Sequence, residues 1–198
     1  SAGESVGLIV AANVPSGATV SQNGSLTLTV NSLNSASATK TNVDTATVTN
    51  QSALVVRKKF SQTSVANGDV VTVRLDYQNL GSTATGSVTL TDTLNSSLVY
   101  QLNAGENWNG TTVNPSTGSN DPAGINYSVT SNTVTAVISS VPANTTGYIE
   151  FKVKVNKTTA GPINNTVNFG YDHDNNTTTA NISDLSNIAV LNEIGRAH

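Results

Sequence analysis

The sequence predicts an all-β protein built from antiparallel strands, and three observations lead to this prediction. Apolar and polar residues alternate in several short segments, most clearly around Val71, Val73 and Leu75, as half-buried strands require. Clusters of Gly, Ser, Asn and Pro separate these segments and are typical of turns. The composition is rich in Thr and Val and only 11% charged, which suits a β-protein exposed outside a cell.

The composition also excludes several classes of function. The net charge of −3 provides neither a basic surface for nucleic acid nor a polybasic membrane patch. The chain has no Cys, so it forms neither disulfides nor thiolate metal sites. No apolar run approaches the roughly 18 residues that a membrane span needs. The absence of Met fits a matured secreted product or a piece of a longer chain.

The first 52 residues predict three strands, which lie near residues 6–10, 26–30 and 43–49. About three strands cannot bury an apolar face without a second layer. We therefore expect residues 1–52 to be a partial β-sandwich that needs strands from elsewhere. The apolar positions that would face those strands are Val6, Leu8, Val10, Leu26, Leu28 and Val30.

Residues 54–60 open a second series of strands, and the best-defined pair follows at residues 71–77 and 87–91. This pair is framed by Asn67-Gly68-Asp69, Asn79-Leu80-Gly81 and Thr91-Asp92-Thr93-Leu94. These motifs resemble the domain-of-unknown-function 11 family, the conserved repeat domain of bacterial and archaeal surface proteins. The resemblance covers roughly residues 54–190, and it departs from the family pattern at Asn95, where a Pro is usual.

The resemblance implies an immunoglobulin-like antiparallel β-sandwich, usually in tandem arrays outside the cell, and it implies no catalysis. We therefore predict a complete sandwich over residues 53–190 at a bacterial or archaeal cell surface. Its later strands are expected at residues 125–129, 133–141 and 148–155. The last of these is strongly amphipathic, with Ile149, Phe151 and Val153 on one face.

An internal comparison supports the division of the chain. Residues 3–10, 24–28 and 41–48 form an ordered series that matches residues 147–155, 165–169 and 183–190. The first series is therefore interpreted as the closing strands of one repeat, and residues 191–198 as the opening strand or tail of a following repeat or neighbouring subunit. The positions assigned to assembly near this end are Ile188, Val190, Leu191 and Ile194.

Two explanations of this pattern stay open. The chain is either a stretch of a longer tandem-repeat protein, or a subunit whose neighbours supply each other's missing strands by β-strand addition. In both, the partners are copies of the chain or adjacent repeats, joined head-to-tail. Unpaired sheet edges are an aggregation hazard, and a head-to-tail contact that does not close generates a filament.

The candidate ligand-binding residues lie in two loops. Residues 103–126 form a long Gly/Pro/Asn loop with the only Trp, so Trp108 beside Asn107 and Asn109 either caps the core or stacks on a sugar ring. Asp172, Asp174 and Asn176 alternate in a way that can direct oxygens at Ca²⁺, with Asp184 as an added ligand. This turn lacks the Gly and Glu of a complete calcium loop, so an acidic turn without an ion, and no cofactor, is the expectation.

A covalent staple is a further possibility in a chain without Cys. In surface sandwiches a Lys–Asn isopeptide bond, assisted by a buried carboxylate, joins first and last strands. By alternation Lys58 shares the inward face of Leu54 and Val56, so we identify Lys58 as the candidate amine. Asn168 is the candidate amide, and the carboxylate is Asp92 or Glu150.

The function that we expect is a non-enzymatic structural repeat or filament subunit of the cell surface. The chain has only two His, and no motif brings together a nucleophile, a base and an orienting residue. The alternative is an adhesin-type binding module that recognises a glycan or host protein through the Trp108 loop.

Overall fold

The structure is a computed structural model, and it describes residues 10, 14–15, 17–32, 35–48, 50–116, 118, 120–176 and 179–195. The chain divides into two compact units, Ser1–Asn50 and Gln51–His198. The described residues form strands and turns and no helix, which confirms the predicted all-β class. Over these ranges, accordingly, no helical segment has the length and apolarity to cross a membrane.

The described residues form sixteen strands, numbered in chain order. They are β1 Asn23–Ser32, β2 Ser35–Thr47, β3 Leu54–Phe60, β4 Ser64–Val65, β5 Val70–Asn79, β6 Val88–Thr93, β7 Leu98–Tyr100, β8 Asn107–Trp108, β9 Thr111–Thr112, β10 Ile125–Thr130, β11 Thr133–Ile138, β12 Thr146–Val155, β13 Gly161–Asn165, β14 Asn168–Tyr171, β15 Ile182–Leu185 and β16 Ala189–Glu193.

The Gln51–His198 unit is a β-sandwich. One sheet has the strand order β10-β11-β6-β14-β15, and the other has the order β3-β5-β12-β8-β9, with β7 also paired to β12. A small sheet, β13-β16-β4, completes the unit. The pairings are antiparallel except for β16 with β4.

The strand alternation predicted from the sequence places the core between these sheets. Val73, Leu75 and Phe151 are fully buried on one sheet, and Val88 and Leu90 are buried on the other. All five belong to one hydrophobic cluster. Burial of such side chains stabilises the fold by about 1.5–3 kcal/mol each, so this continuous core holds the unit together.

The chain changes sheets twice near the end of the sandwich, which the sequence did not predict. Residues 165–169 were expected to be one strand, but β13 ends at Asn165 and β14 begins at Asn168 in another sheet. The segment of residues 183–190 is likewise split between β15 and β16, which lie in different sheets. The two segments that connect the sheets are hydrogen-bonded to each other. The Ser186 backbone N–H donates to the Val167 carbonyl at 2.9 Å, and the Val167 N–H donates to Ser186 Oγ at 3.0 Å.

The interpretation of residues 191–198 as an opening strand of another repeat is wrong for the described part. Leu191 lies in β16, pairs with Ile163 of β13 and is fully buried in the core of this sandwich. An apolar side chain at this position completes the sandwich's own core. Val190 and the flanking Ile188 and Ile194 are exposed, and residues 196–198 lie outside the described residues.

The Ser1–Asn50 unit contains one long antiparallel hairpin, β1–β2. β2 begins well before the predicted strand at residues 43–49, and Val10 lies outside any strand and is half exposed. The predicted strand positions Val6 and Leu8 lie outside the described residues. Leu26 and Val30 are exposed, and Leu28 is only partly buried.

The register of this hairpin agrees with the internal comparison made from the sequence. That comparison places Leu28 opposite Phe169 in the alignment and Asn42 opposite Asp184. In the structure Leu28 pairs with Asn42 across β1–β2, and Phe169 pairs with Asp184 across β14–β15. The hairpin therefore has the strand register of the closing strands of the sandwich.

Candidate functional site

Strand β3 carries a lysine side chain into the core. Lys58 follows Leu54 and Val56 on the inward face, and its side chain is fully buried. Asn187 fixes the backbone at this point, since its Oδ1 accepts from the Lys58 N–H at 2.9 Å and its Nδ2 donates to the Lys58 carbonyl at 3.0 Å. The ammonium end lies 6.0 Å from the centre of the Phe60 ring.

Strand β6 carries a carboxylate to the same place. Asp92 shares the inward face of Val88 and Leu90, and its side chain is also fully buried. Asp92 Oδ2 forms an ion pair with Lys58 Nζ. The inward alternation of two strands thus places opposite charges in contact inside the sandwich.

The third member of the site is Asn165, the last residue of β13, which faces inward like Ile163. Its Nδ2 donates to Asp92 Oδ1 at 2.9 Å, and also to the carbonyls of Thr93 at 3.2 Å and Thr166 at 3.0 Å. Its Oδ1 accepts from the Asn95 backbone N–H at 3.1 Å. Because acceptors surround one end of the amide and a donor faces the other, its orientation is fixed.

Burial shifts the pKa values of Lys58 and Asp92 in opposite directions. Burial lowers the pKa of the Lys58 amine, and the attraction of Asp92 only partly offsets this effect. Burial likewise raises the pKa of the Asp92 carboxyl, against the opposing effects of Lys58 and Asn165. Removal from water disfavours the charged form of each group. The site therefore combines an amine, a proton carrier and an amide away from solvent.

Two of the four residues predicted for this chemistry lie elsewhere. Asn168 is exposed, because it stands between the buried Val167 and Phe169 and so faces outward. Glu150 accepts from Arg74 Nη1 at 2.8 Å on the outer face of the sheet. Asn165 was missed, although the alternation of Ile163, Asn165 and Val167 was the sequence signal for it.

The loop around Trp108 does not present the indole ring to a ligand. Trp108 is 2% exposed and pairs with Ile149 of β12. Its Nε1 donates to the Tyr77 hydroxyl at 3.1 Å. The stacking hypothesis is wrong for this structure, because both ring faces are covered, whereas the core-capping alternative describes the observed position.

The two asparagines beside Trp108 shape the turn that holds it. Asn107 Oδ1 accepts from the Gly110 N–H at 2.8 Å. Asn109 has a positive φ of 48°, and its Oδ1 accepts from the Tyr148 N–H at 2.7 Å. Their hydrogen bonds within the sandwich give them a structural role.

The carboxylates of the acidic turn accept hydrogen bonds from neighbouring side-chain amides. Asp172 is buried against Gly86, whereas Asn176 is exposed and donates to Asp174 Oδ2 at 2.5 Å. The Asn181 amide donates to Asp174 at 3.1 Å and to Asp172 at 3.4 Å. Within the described ranges no three His, Asp or Glu side chains are grouped for a metal ion, and Ca²⁺ binding here stays a prediction.

Comparisons with known proteins show the fold of this chain. No protein-family model and no curated protein sequence matches it. Among solved structures, the major pilin subunit BcpA of Bacillus cereus is similar with a TM-score of 0.56 and 15% identity, over 85% of this chain and 48% of that one. The 35 kDa C-terminal fragment of the major pilin GBS80 of Streptococcus agalactiae gives 0.51 and 14%, over 72% and 56%.

The collagen adhesin CNA from S. aureus is similar at the same level, with a TM-score of 0.51 and 14% identity over 78% of this chain and 55% of that one. The chain thus spans about half the length of each of these three solved chains. The similarity confirms the predicted immunoglobulin-like β-sandwich.

Proposed function

We propose that this chain is a non-enzymatic structural module of an extracellular filament or appendage on a bacterial or archaeal cell. Neighbouring copies or adjacent repeats join head-to-tail, and strands of one module complete the next. The resemblance of the sequence to the domain-of-unknown-function 11 repeat family supports this role, and we propose that the chain belongs to it. The pilin-like fold is compatible with the same role.

The observation that carries the proposal is the β1–β2 hairpin. It has the register of β14–β15, yet Leu26 and Val30 are exposed where the sandwich buries the aligned residues. In the sandwich, β14 has β6 on its other side, where Phe169 pairs with Leu90. Among the described residues β1 and β2 pair only with each other, and a two-stranded hairpin is only marginally stable in water. We therefore infer that β1–β2 takes up the strands that its counterpart has.

The internal alignment identifies the face of the hairpin that a neighbour would cover. Leu26 and Leu28 correspond to Val167 and Phe169, both buried in the sandwich. Thr27 corresponds to Asn168, which is exposed. A β6-like strand and the sheet behind it would therefore bury the leucine face and leave the threonine face in solvent.

The adhesin alternative has less support, because it depended on an accessible Trp108. That side chain is 2% exposed and hydrogen-bonded within the sandwich. The packing of Trp108 in the sandwich core is sufficient to account for its place in the loop.

Concentration-dependent sedimentation of the purified chain, followed by negative-stain imaging, tests the proposal. We expect association into extended fibres that Leu28→Asp abolishes, because a carboxylate on the buried face of the completed module lacks a partner. Thr27→Asp, on the opposite face, is the matched control and should assemble like the unmodified chain. Assembly that is equally strong with Leu28→Asp contradicts the proposal. A chain that stays monomeric at high concentration excludes association between separate copies and leaves only completion by an adjacent repeat.

A further inference from the structure

We propose that Lys58 and Asn165 form an intramolecular isopeptide bond, with Asp92 as the group that transfers protons. The bond would join β3, the first strand of the sandwich, to β13, which pairs with its last strand β16. This modification goes beyond the proposed function, because a filament module does not require it.

The geometry of Asp92 is the first support. One carboxyl oxygen, Oδ2, contacts the Lys58 amine, and the other, Oδ1, accepts from Nδ2 of Asn165 at 2.9 Å. The nucleophile and the leaving nitrogen are thus in contact with the two oxygens of one carboxyl group. A proton can leave the amine at one oxygen and reach the leaving group from the other, as general acid–base catalysis requires.

The surroundings of the carbonyl are the second support. The Asn95 backbone N–H donates to Asn165 Oδ1 at 3.1 Å, and this oxygen gains negative charge when an amine attacks the amide. A fixed backbone donor at that position stabilises the developing charge in the manner of an oxyanion hole. The amide nitrogen is held by three acceptors, so the carbonyl is presented in one orientation.

The exclusion of water is the third support. Lys58, Asp92 and Asn165 are 2%, 0% and 6% exposed, in a sandwich whose other inward residues are mostly apolar. Burial shifts the amine toward its uncharged, nucleophilic form. Holding the reactants together in a folded core also replaces a bimolecular encounter by an intramolecular step.

The reaction balances without an oxidant, reductant or further reactant. The lone pair of Lys58 Nζ attacks Cγ of Asn165 and forms the new C–N bond. Asp92 takes a proton from Nζ and gives a proton to Nδ2, after which the Cγ–Nδ2 bond breaks and ammonia leaves. The products are a secondary amide between the two side chains and one molecule of ammonia, and Asp92 returns to its starting state.

The mass of the intact chain under denaturing conditions tests this inference. We expect the unmodified chain to weigh about 17 Da less than its sequence mass, which is the mass of the released ammonia. Asp92→Asn and Asn165→Ala should each restore the full mass. Asn168→Ala and Lys59→Met are the matched controls, because both side chains are exposed, and they should keep the deficit.

Peptide mapping distinguishes the bond from another loss of ammonia. Succinimides at Asn-Gly sequences, such as Asn23-Gly24 and Asn109-Gly110, give the same mass deficit but no linked peptides. We expect a branched peptide whose fragments place the link between Lys58 and Asn165. A folded chain with its full sequence mass, or a deficit that remains in Asn165→Ala, overturns the proposal. The intact mass under denaturing conditions is the same for monomers and fibres, so this measurement tests the crosslink independently of the proposed assembly.

Discussion

Replacing the buried Lys58–Asp92 pair by apolar side chains distinguishes a covalent role of Lys58 from a purely electrostatic one. The double substitution Lys58→Met with Asp92→Leu removes both charges, and the Asn165 amide keeps its bonds to the Thr93 and Thr166 carbonyls. Replacement of a buried ion pair by hydrophobic residues of similar volume is usually neutral or stabilising, by about 1–4 kcal/mol. Without a crosslink, the variant should therefore match or exceed the unmodified chain.

With the crosslink, the same variant should be much less stable. A bond between Lys58 and Asn165 closes a loop of roughly 100 residues, for which the chain-entropy relation for crosslinks gives about 4.7 kcal/mol. In a unit of this size each kcal/mol corresponds to a change of about 2–4 °C in Tm. We therefore expect Tm to fall by about 10–20 °C.

Trp108 provides the readout for this comparison. It is the only Trp in the chain and is buried in the sandwich, so its fluorescence reports the unfolding of that unit. Lys59→Met is the control, because the Lys59 side chain is 60% exposed and the loss of its surface ion pair with Asp76 should change stability by less than about 1 kcal/mol. An unchanged or raised Tm in the double variant refutes the crosslink.

Two further predictions concern packing and pH. Gly147→Ala should destabilise the sandwich by about 1–3 kcal/mol, because a Cβ there would lie 2.2 Å from Tyr77 Cζ. A urea titration should show this loss of stability. It should show none for Gly24→Ala, where a Cβ would have nothing within 4 Å. Burial acts to raise the pKa of Asp76, but hydrogen bonds from Lys59 and Arg74 outweigh it, so the pKa lies below its usual value. The resulting stabilisation is present above about pH 4 and is lost as the pH falls through the lower folded-state pKa. Asp76→Asn should therefore be less stable at neutral pH, by a small amount because the site is partly exposed, and the difference should vanish in acid; a difference that is constant with pH would contradict this explanation.

Alternation in the sequence was sufficient to predict the long strands β5, β6 and β12 and their inward faces. Lys58 was identified as an inward lysine because Leu54 and Val56 share its side of β3, and the structure places it there. The same rule, applied to Val167 and Phe169, would have excluded Asn168. The error arose because residues 165–169 were treated as one strand, whereas the chain changes sheets between β13 and β14.

Contacts between distant segments could not be read from local patterns. Trp108 lies in a two-residue strand that pairs with β12, and two residues are too few to show an alternation. Its turn-rich surroundings therefore predicted an exposed loop. In the same way, Asn165 and Asp92 come together only because β13 and β6 belong to sheets that share one core, which is tertiary information.

The positions of Lys58 and Asn165 have a mechanical consequence. When a fibre is stretched, tension enters a domain through its first strand and leaves through its last. A covalent bond from β3 to β13 transmits that tension directly, so the roughly 100 residues between the two positions carry none of it. At about 3.4 Å per residue, this segment would otherwise extend by roughly 300 Å when the domain gives way. A fibre of bonded modules would thus lose this part of its extensibility, and within each sandwich only the residues after Asn165 could still extend under tension.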